Sequence, residues 1–142
     1  MQKNRDNAFG YHLWLLNRLA HTHFSKVLAP LSIGPGQQVY LLAMQEEECI
    51  HQDALAHRLE VDKSNVTRAI VALSSQGYVH REKSAEDGRQ WLIRLTPKGK
   101  KARLEVVQHA QAWVDQLKAP LKDDEWQQLT DLLARVCEHQ VE

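Results

Sequence analysis

At 142 residues, 43% of them apolar and 25% charged, the chain suits one globular hydrophobic core, which excludes a disordered or fibrous protein. The formal net charge is zero, yet between His57 and Arg103 eleven Lys/Arg stand against five Asp/Glu, a local excess of +6. That asymmetry suits a middle segment that meets phosphate, with the compensating acids gathered at Glu46-Glu47-Glu48 and Asp123-Asp124-Glu125.

The start, Met1-Gln-Lys-Asn-Arg-Asp, has neither the apolar stretch nor the cleavage site of a secretory signal, so a cytoplasmic protein is expected. Apolar runs such as Val39–Met44 fall far short of a membrane span, and no membrane partner is expected. Phe9, Leu13, Leu16 and Ala20, beside Trp14, Leu15 and Leu19, recur at steps of three and four and predict a long first helix. Its apolar face is wider than one core needs, so a partner subunit is expected against it. Leu31–Gly36 breaks that helix, and a second runs through Gln38, Leu41, Leu42 and Met44.

Residues 52–76 read as a helix pair. Leu55, Ala56 and Leu59 supply the inner side of its first member. Glu60-Val61-Asp62 is the turn, with Val61 as apolar plug and Asp62 as N-cap. Val66, Ala69, Ile70 and Leu73 make the inner stripe of the second member, and Gly77 sits where a left-handed residue ends a helix. Residues 78–95 then change period. Tyr78–Lys83 and Trp91–Leu95 read as the strands of a hairpin around the turn signal Asp87-Gly88. Thr96-Pro97 opens a helix that runs to Pro120, and a last helix starts near Asp123 with Trp126, Leu129, Leu133 and Val136 as its stripe. With no long linker, the whole of 1–142 is expected to be one domain.

A helix pair with a three-residue turn is suited to set its second helix in a DNA major groove. Once the inner stripe is removed, that helix offers Lys63, Ser64, Asn65, Thr67 and Arg68. These are side chains that bond phosphates and base edges, with Arg68 matched to guanine and Asn65 to adenine. Arg81, Lys83 and Arg89 are expected to cluster around the hairpin tip, where a long guanidinium can enter a minor groove. Asp87, two residues before Arg89, is expected to hold that guanidinium extended through paired bonds.

The run Asp62-Lys-Ser-Asn-Val-Thr-Arg-Ala-Ile-Val-Ala-Leu-Ser-Ser-Gln-Gly-Tyr-Val, then Arg81, then Asp87-Gly-Arg-Gln-Trp-Leu-Ile-Arg-Leu-Thr-Pro-Lys-Gly resembles the MarR family of winged-helix regulators. The specific motifs cover residues 50–99, and the helix plan matches over essentially the whole chain. The resemblance implies a mainly α fold with a small β-hairpin wing. It comprises a winged helix-turn-helix lobe over 35–95 and N- and C-terminal dimerisation helices over 1–30 and 97–142. It also implies a homodimer on a pseudo-palindromic double-stranded operator, acting as a repressor that a small aromatic or anionic effector releases. Ser64, Asn65, Thr67 and Arg68 become recognition contacts, and Arg89 a wing contact held by Asp87. Gly34-Pro35-Gly36 and His51 depart from the family's usual helix caps, which leaves the starts of the second and third helices open.

An effector cleft in such an architecture draws on the first, second and fifth helices, which makes Trp14, Arg18, Tyr40 and Trp113 its candidate walls. Neither a metal nor a cofactor is expected. His21-x-His23 does not put both rings on one helix face, and Glu105 with His109 makes only a pair. Cys49 and Cys137 fit no metal or redox spacing and read as free thiols. An enzyme built on either cysteine with a histidine is the competing class, but no nucleophile turn or phosphate loop supports it. A winged helix that binds only protein is a third class, separable by the salt dependence of binding.

Overall fold

The computed structural model describes the backbone of residues 2–141 and the side chains of residues 7–140. Its elements follow in the order α1 (Gln2–Leu28), a 3₁₀ turn (Ala29–Leu31), α2 (Gln38–Ala43), β1 (Ile50–His51), α3 (Gln52–Leu59) and α4 (Lys63–Ser75). Then come β2 (Val79–Lys83), β3 (Trp91–Leu95), α5 (Pro97–Lys118) and α6 (Asp123–Val141). They gather into two compact units, one ending at His109 and one beginning at Ala110.

In the first unit, Leu28, Leu41, Met44, Leu55, Val66, Ile70, Leu73, Ile93 and Val106 are sealed from solvent. Every member of the expected α4 stripe is buried, so the 3.6-residue period does set this helix's rotation. The end of α4 is equally local in origin. Gly77 takes φ +80°, its amide donates to Ser74 O at 2.9 Å, and Tyr78 N donates to Leu73 O at 2.9 Å. This pair of bonds satisfies carbonyls that the helix end would otherwise orphan.

The α3–α4 turn corrects two sequence expectations. Val61 is 36% exposed and plugs nothing. The turn is instead closed by backbone bonds, Glu60 N to His57 O at 3.2 Å and Val61 N to Ala56 O at 3.1 Å, with Glu60 in the left-handed region at φ 55°. Asp62 does occupy the N-cap position, but its carboxylate makes no capping bond. Only its carbonyl accepts, from Asn65 N at 3.0 Å and Val66 N at 3.3 Å.

The hairpin is as expected, with β2 and β3 antiparallel in the register Val79↔Leu95 to Lys83↔Trp91. A third strand, which the sequence pattern does not mark, completes the sheet. β1 pairs Ile50 with Ile93 and His51 with Leu92, giving the order β1-β3-β2 and tying the start of α3 to the hairpin. In the second unit, the acids Asp123, Asp124 and Glu125 occupy the first turn of α6, where they complement its dipole. Leu129, Leu132, Leu133 and Val136 of that helix are between 36% and 50% exposed.

Thr96 caps α5 as expected, accepting from Gly99 N at 3.0 Å and donating to Gly77 O at 2.6 Å. The helix start is drawn so close to the end of α4 that a Cβ at Gly99 would lie 1.9 Å from the Tyr78 carbonyl oxygen. Backbone on both sides leaves no flexible side chain to give way. Gly99→Ala is therefore expected to destabilise the protein by at least ~2 kcal/mol, measured as a shift in the midpoint of denaturant unfolding.

Candidate nucleic-acid interface

The inner stripe of α4 turns Lys63, Ser64, Asn65 and Arg68 outward, all exposed, while Thr67 is half-buried. Arg68 donates to the Asn65 side-chain oxygen one turn earlier, so the two side chains hold each other before any ligand arrives. Lys63 pairs with Asp53 of α3 at 3.0 Å, an exposed contact of small energetic weight. The Thr67 hydroxyl donates to Lys63 O and accepts from Gln52 Nε2, both at 2.9 Å.

The wing differs from expectation in two respects. Asp87 does not grip the Arg89 guanidinium; its carboxylate accepts from the Arg89 backbone amide at 3.0 Å and so shapes the turn. Two residues of separation favour this local Asx geometry over a side-chain fork. The turn is closed further by Ser84 N to Gln90 O at 2.8 Å and Gln90 N to Asp87 O at 2.9 Å. Arg81, in turn, is not at the tip. It lies on β2 with its guanidinium carbon 3.6 Å from the centroid of the Trp91 ring, and its Nε donates to Gln52 Oε1 at 2.9 Å. Burial draws its pKa below the ordinary guanidinium value, yet a guanidinium stays charged at neutral pH. Lys83 and Arg89 are exposed, with Lys83 Nζ 5.6 Å from the Trp91 centroid.

Gln52 is the residue that sequence reasoning missed. It opens α3 with 6% exposure and joins Arg81 of the wing to Thr67 of α4. A glutamine at a helix start is ordinarily solvated, so no local pattern marks it.

The basic excess of the middle segment is smaller in space than in sequence. Arg58 forms two bonds to Glu48, at 2.6 and 3.1 Å, and Lys100 pairs with Glu47 at 2.5 Å. The acidic triplet thus braces α3 and α5. Of the candidate effector walls, Trp14 is 57% exposed with the Arg18 guanidinium 5.6 Å from its centroid, and Tyr40 is half-buried. Trp113 is also half-buried and belongs to the second unit. A cleft of about 240 Å³ in the first unit is lined by other residues, among them Asn17, His21, Phe24, Pro35 and Val39. Cys49 and Cys137 are exposed and unbonded. Among the described residues no three His, Cys, Asp or Glu side chains converge as metal ligands, and no helix is long and apolar enough to cross a membrane.

This arrangement superposes on a MarR transcriptional regulator from Methanosarcina mazei Go1 with a TM-score of 0.84 and 30% identity, covering 95% of this chain and 97% of that one. The chain belongs to the MarR family. The family model itself matches residues 33–91, from the approach to α2 through the wing turn to the first residue of β3. A structure of a mutant Escherichia coli MarR complexed with operator DNA matches at TM-score 0.80 and 28% identity, over 94% of this chain and 96% of the other. Among curated proteins, the HTH-type transcriptional regulator BilQ of Clostridioides difficile (strain CD3) is 24% identical over 122 residues, 86% of this chain and 82% of its own. As a MarR-family member, the protein is a winged-helix transcriptional regulator and not an enzyme.

The Glu48–Arg58 pair has a defined pH signature. The Arg58 bond holds the Glu48 carboxyl below the ordinary glutamate value, against a lesser upward push from burial. A depressed folded-state pKa gives stability that is complete above the unfolded value, about 4.3, and lost as pH falls through the folded one. Glu48→Gln should thus cost at most ~1 kcal/mol at neutral pH, since the pair is partly exposed. In thermal melts the gap between the two proteins should close as pH falls below about 4.

Proposed function

We propose that this MarR-family protein is a homodimeric repressor that occupies a pseudo-palindromic double-stranded operator. The supporting observation is that the exposed polar face of α4 shares one compact unit with a basic wing bonded to it through Gln52. In this reading Ser64, Asn65 and Arg68 meet base edges, Lys63 and Lys83 meet phosphate, and Arg89 reaches into the minor groove from a turn that Asp87 shapes. Thr67 and Arg81 line the same surface, Thr67 through its methyl group and Arg81 through its remaining Nη donors. The complex of the similar E. coli protein with operator DNA supports operator DNA as the partner.

Dimerisation is assigned to α1, α6 and the later part of α5. Its support is the exposure of Phe9, Leu13, Trp14 and Leu16 on α1, and of Leu129, Leu132, Leu133 and Val136 on α6, in a single copy of the chain. Release from DNA is assigned to a small aromatic or anionic molecule held in the first unit by Trp14, Arg18 and Tyr40. The pairing of Arg18 with the Trp14 face supplies a cation beside an apolar plane.

Operator fragments enriched from genomic DNA by the purified protein provide the substrate for the tests. Arg68→Ala should cost ~1–3 kcal/mol on the operator and much less on random duplex. Arg89→Ala should weaken operator binding while gel filtration still reports the dimer. The logarithm of the binding constant should fall linearly with the logarithm of salt concentration, with a slope of about 0.9 per phosphate neutralised. Full operator affinity in both arginine variants would remove the DNA-reading assignment. Truncation after Lys118 should abolish the dimer in analytical ultracentrifugation, and a soluble monomer that still binds the operator would contradict the role given to α6.

A further inference from the structure

A buried amide with both ends engaged leaves little freedom in how its bonds are arranged. Arg81 can only donate, so the oxygen of the Gln52 side chain must face it. The amide nitrogen is thereby turned toward α4, where it donates to the Thr67 hydroxyl. Having accepted there, Thr67 spends its own proton on the Lys63 carbonyl one turn back. Donors therefore run one way, from β2 through the first residue of α3 into the first turn of α4. Trp91 of β3 closes the far end, its ring stacked at 3.6 Å from the Arg81 guanidinium carbon.

We propose that Gln52 is a positioning residue for DNA recognition, a clamp that fixes the spacing between the recognition helix α4 and the wing. The inference rests on the operator-binding reading above and adds to it a residue that needs no contact with DNA. A specific complex requires helix and wing to dock together, so any freedom between them must be frozen out on binding. Phosphate attraction tolerates such freedom, because it depends on charge more than on fixed geometry. The clamp should therefore govern discrimination between operator and random DNA more than affinity for DNA as such. A merely structural glutamine, present to satisfy its own buried bonds, would affect both equally through stability.

The test uses the full-length protein labelled with fluorotryptophan, the Trp91 resonance being assigned by its loss in Trp91→Phe. Thr67→Val keeps the shape of the side chain and removes the partner of Gln52 on α4. It should shift or broaden the Trp91 fluorine signal, because the two residues communicate through Gln52 and Arg81. Gln52→Leu should weaken operator binding about tenfold and leave binding to random duplex within about twofold, and the double variant should lose no more than the worse single one. Should Gln52→Leu fail to fold, Gln52→Met takes its place with a more adaptable side chain. An unmoved Trp91 signal in Thr67→Val, additive losses in the double variant, or equal losses on operator and random DNA would overturn the clamp. Loss of operator binding in Arg68→Ala and Arg89→Ala, with none in the Gln52 variants, would reject the clamp alone. No loss in either arginine variant or in the Gln52 variant would reject the DNA reading beneath it.

Discussion

The rotation of α4 about its own axis is the constraint on which everything else depends. Val66, Ile70 and Leu73 are fully buried and Ala69 nearly so. Withdrawing each large apolar side chain from water is worth roughly 1.5–3 kcal/mol. No exposed contact on the opposite face approaches that sum, since an exposed ion pair such as Lys63–Asp53 contributes at most about 1 kcal/mol. The core therefore decides which side chains face solvent, and Ser64, Asn65 and Arg68 are presented as a by-product of hydrophobic burial. The backbone bonds around Gly77 and Thr96 then fix where the helix ends and how close α5 approaches it.

What could be read from the sequence was whatever chemistry acts within a few residues. The α4 stripe, the left-handed Gly77, the Thr96-Pro97 start of α5 and the Asp87-Gly88 turn all have their causes in neighbouring positions. The features that escaped depend on residues distant in the chain. Strand β1 is two residues long, too short to show an alternating pattern, and exists because Ile93 and Leu92 are there to pair with it. Gly99 looked unremarkable until the Tyr78 carbonyl stood against it. Sequence proximity alone puts Arg81 near the hairpin tip, but Trp91 and Gln52 draw it inward.

The charge pattern shows the same limit. Counting along the chain gives a strongly basic middle, but Arg58, Lys63 and Lys100 meet Glu48, Asp53 and Glu47 from just outside that segment. Arg58 and Lys100 are thus tied to the acidic loop between α2 and β1, while the exposed Lys63–Asp53 pair is weak enough to leave Lys63 available. Arg68, Lys83, Arg89, Arg94 and Lys101 stay exposed outside these pairs. A net charge of zero is compatible with a DNA-binding family because the local distribution of charge, and not the sum over the chain, sets the field at a surface.

Arg81 and Arg89 of the wing end up with opposite mechanical characters. Arg81 is stacked and bonded, so its conformational entropy is already spent. Asp87 restrains only the peptide of Arg89, which leaves a long cationic arm on a stiff pivot. Such an arm can change rotamer without disturbing the turn that carries it. On a duplex it would adapt to grooves of differing width, so the wing should be the permissive half of the reading surface and α4 the exacting one.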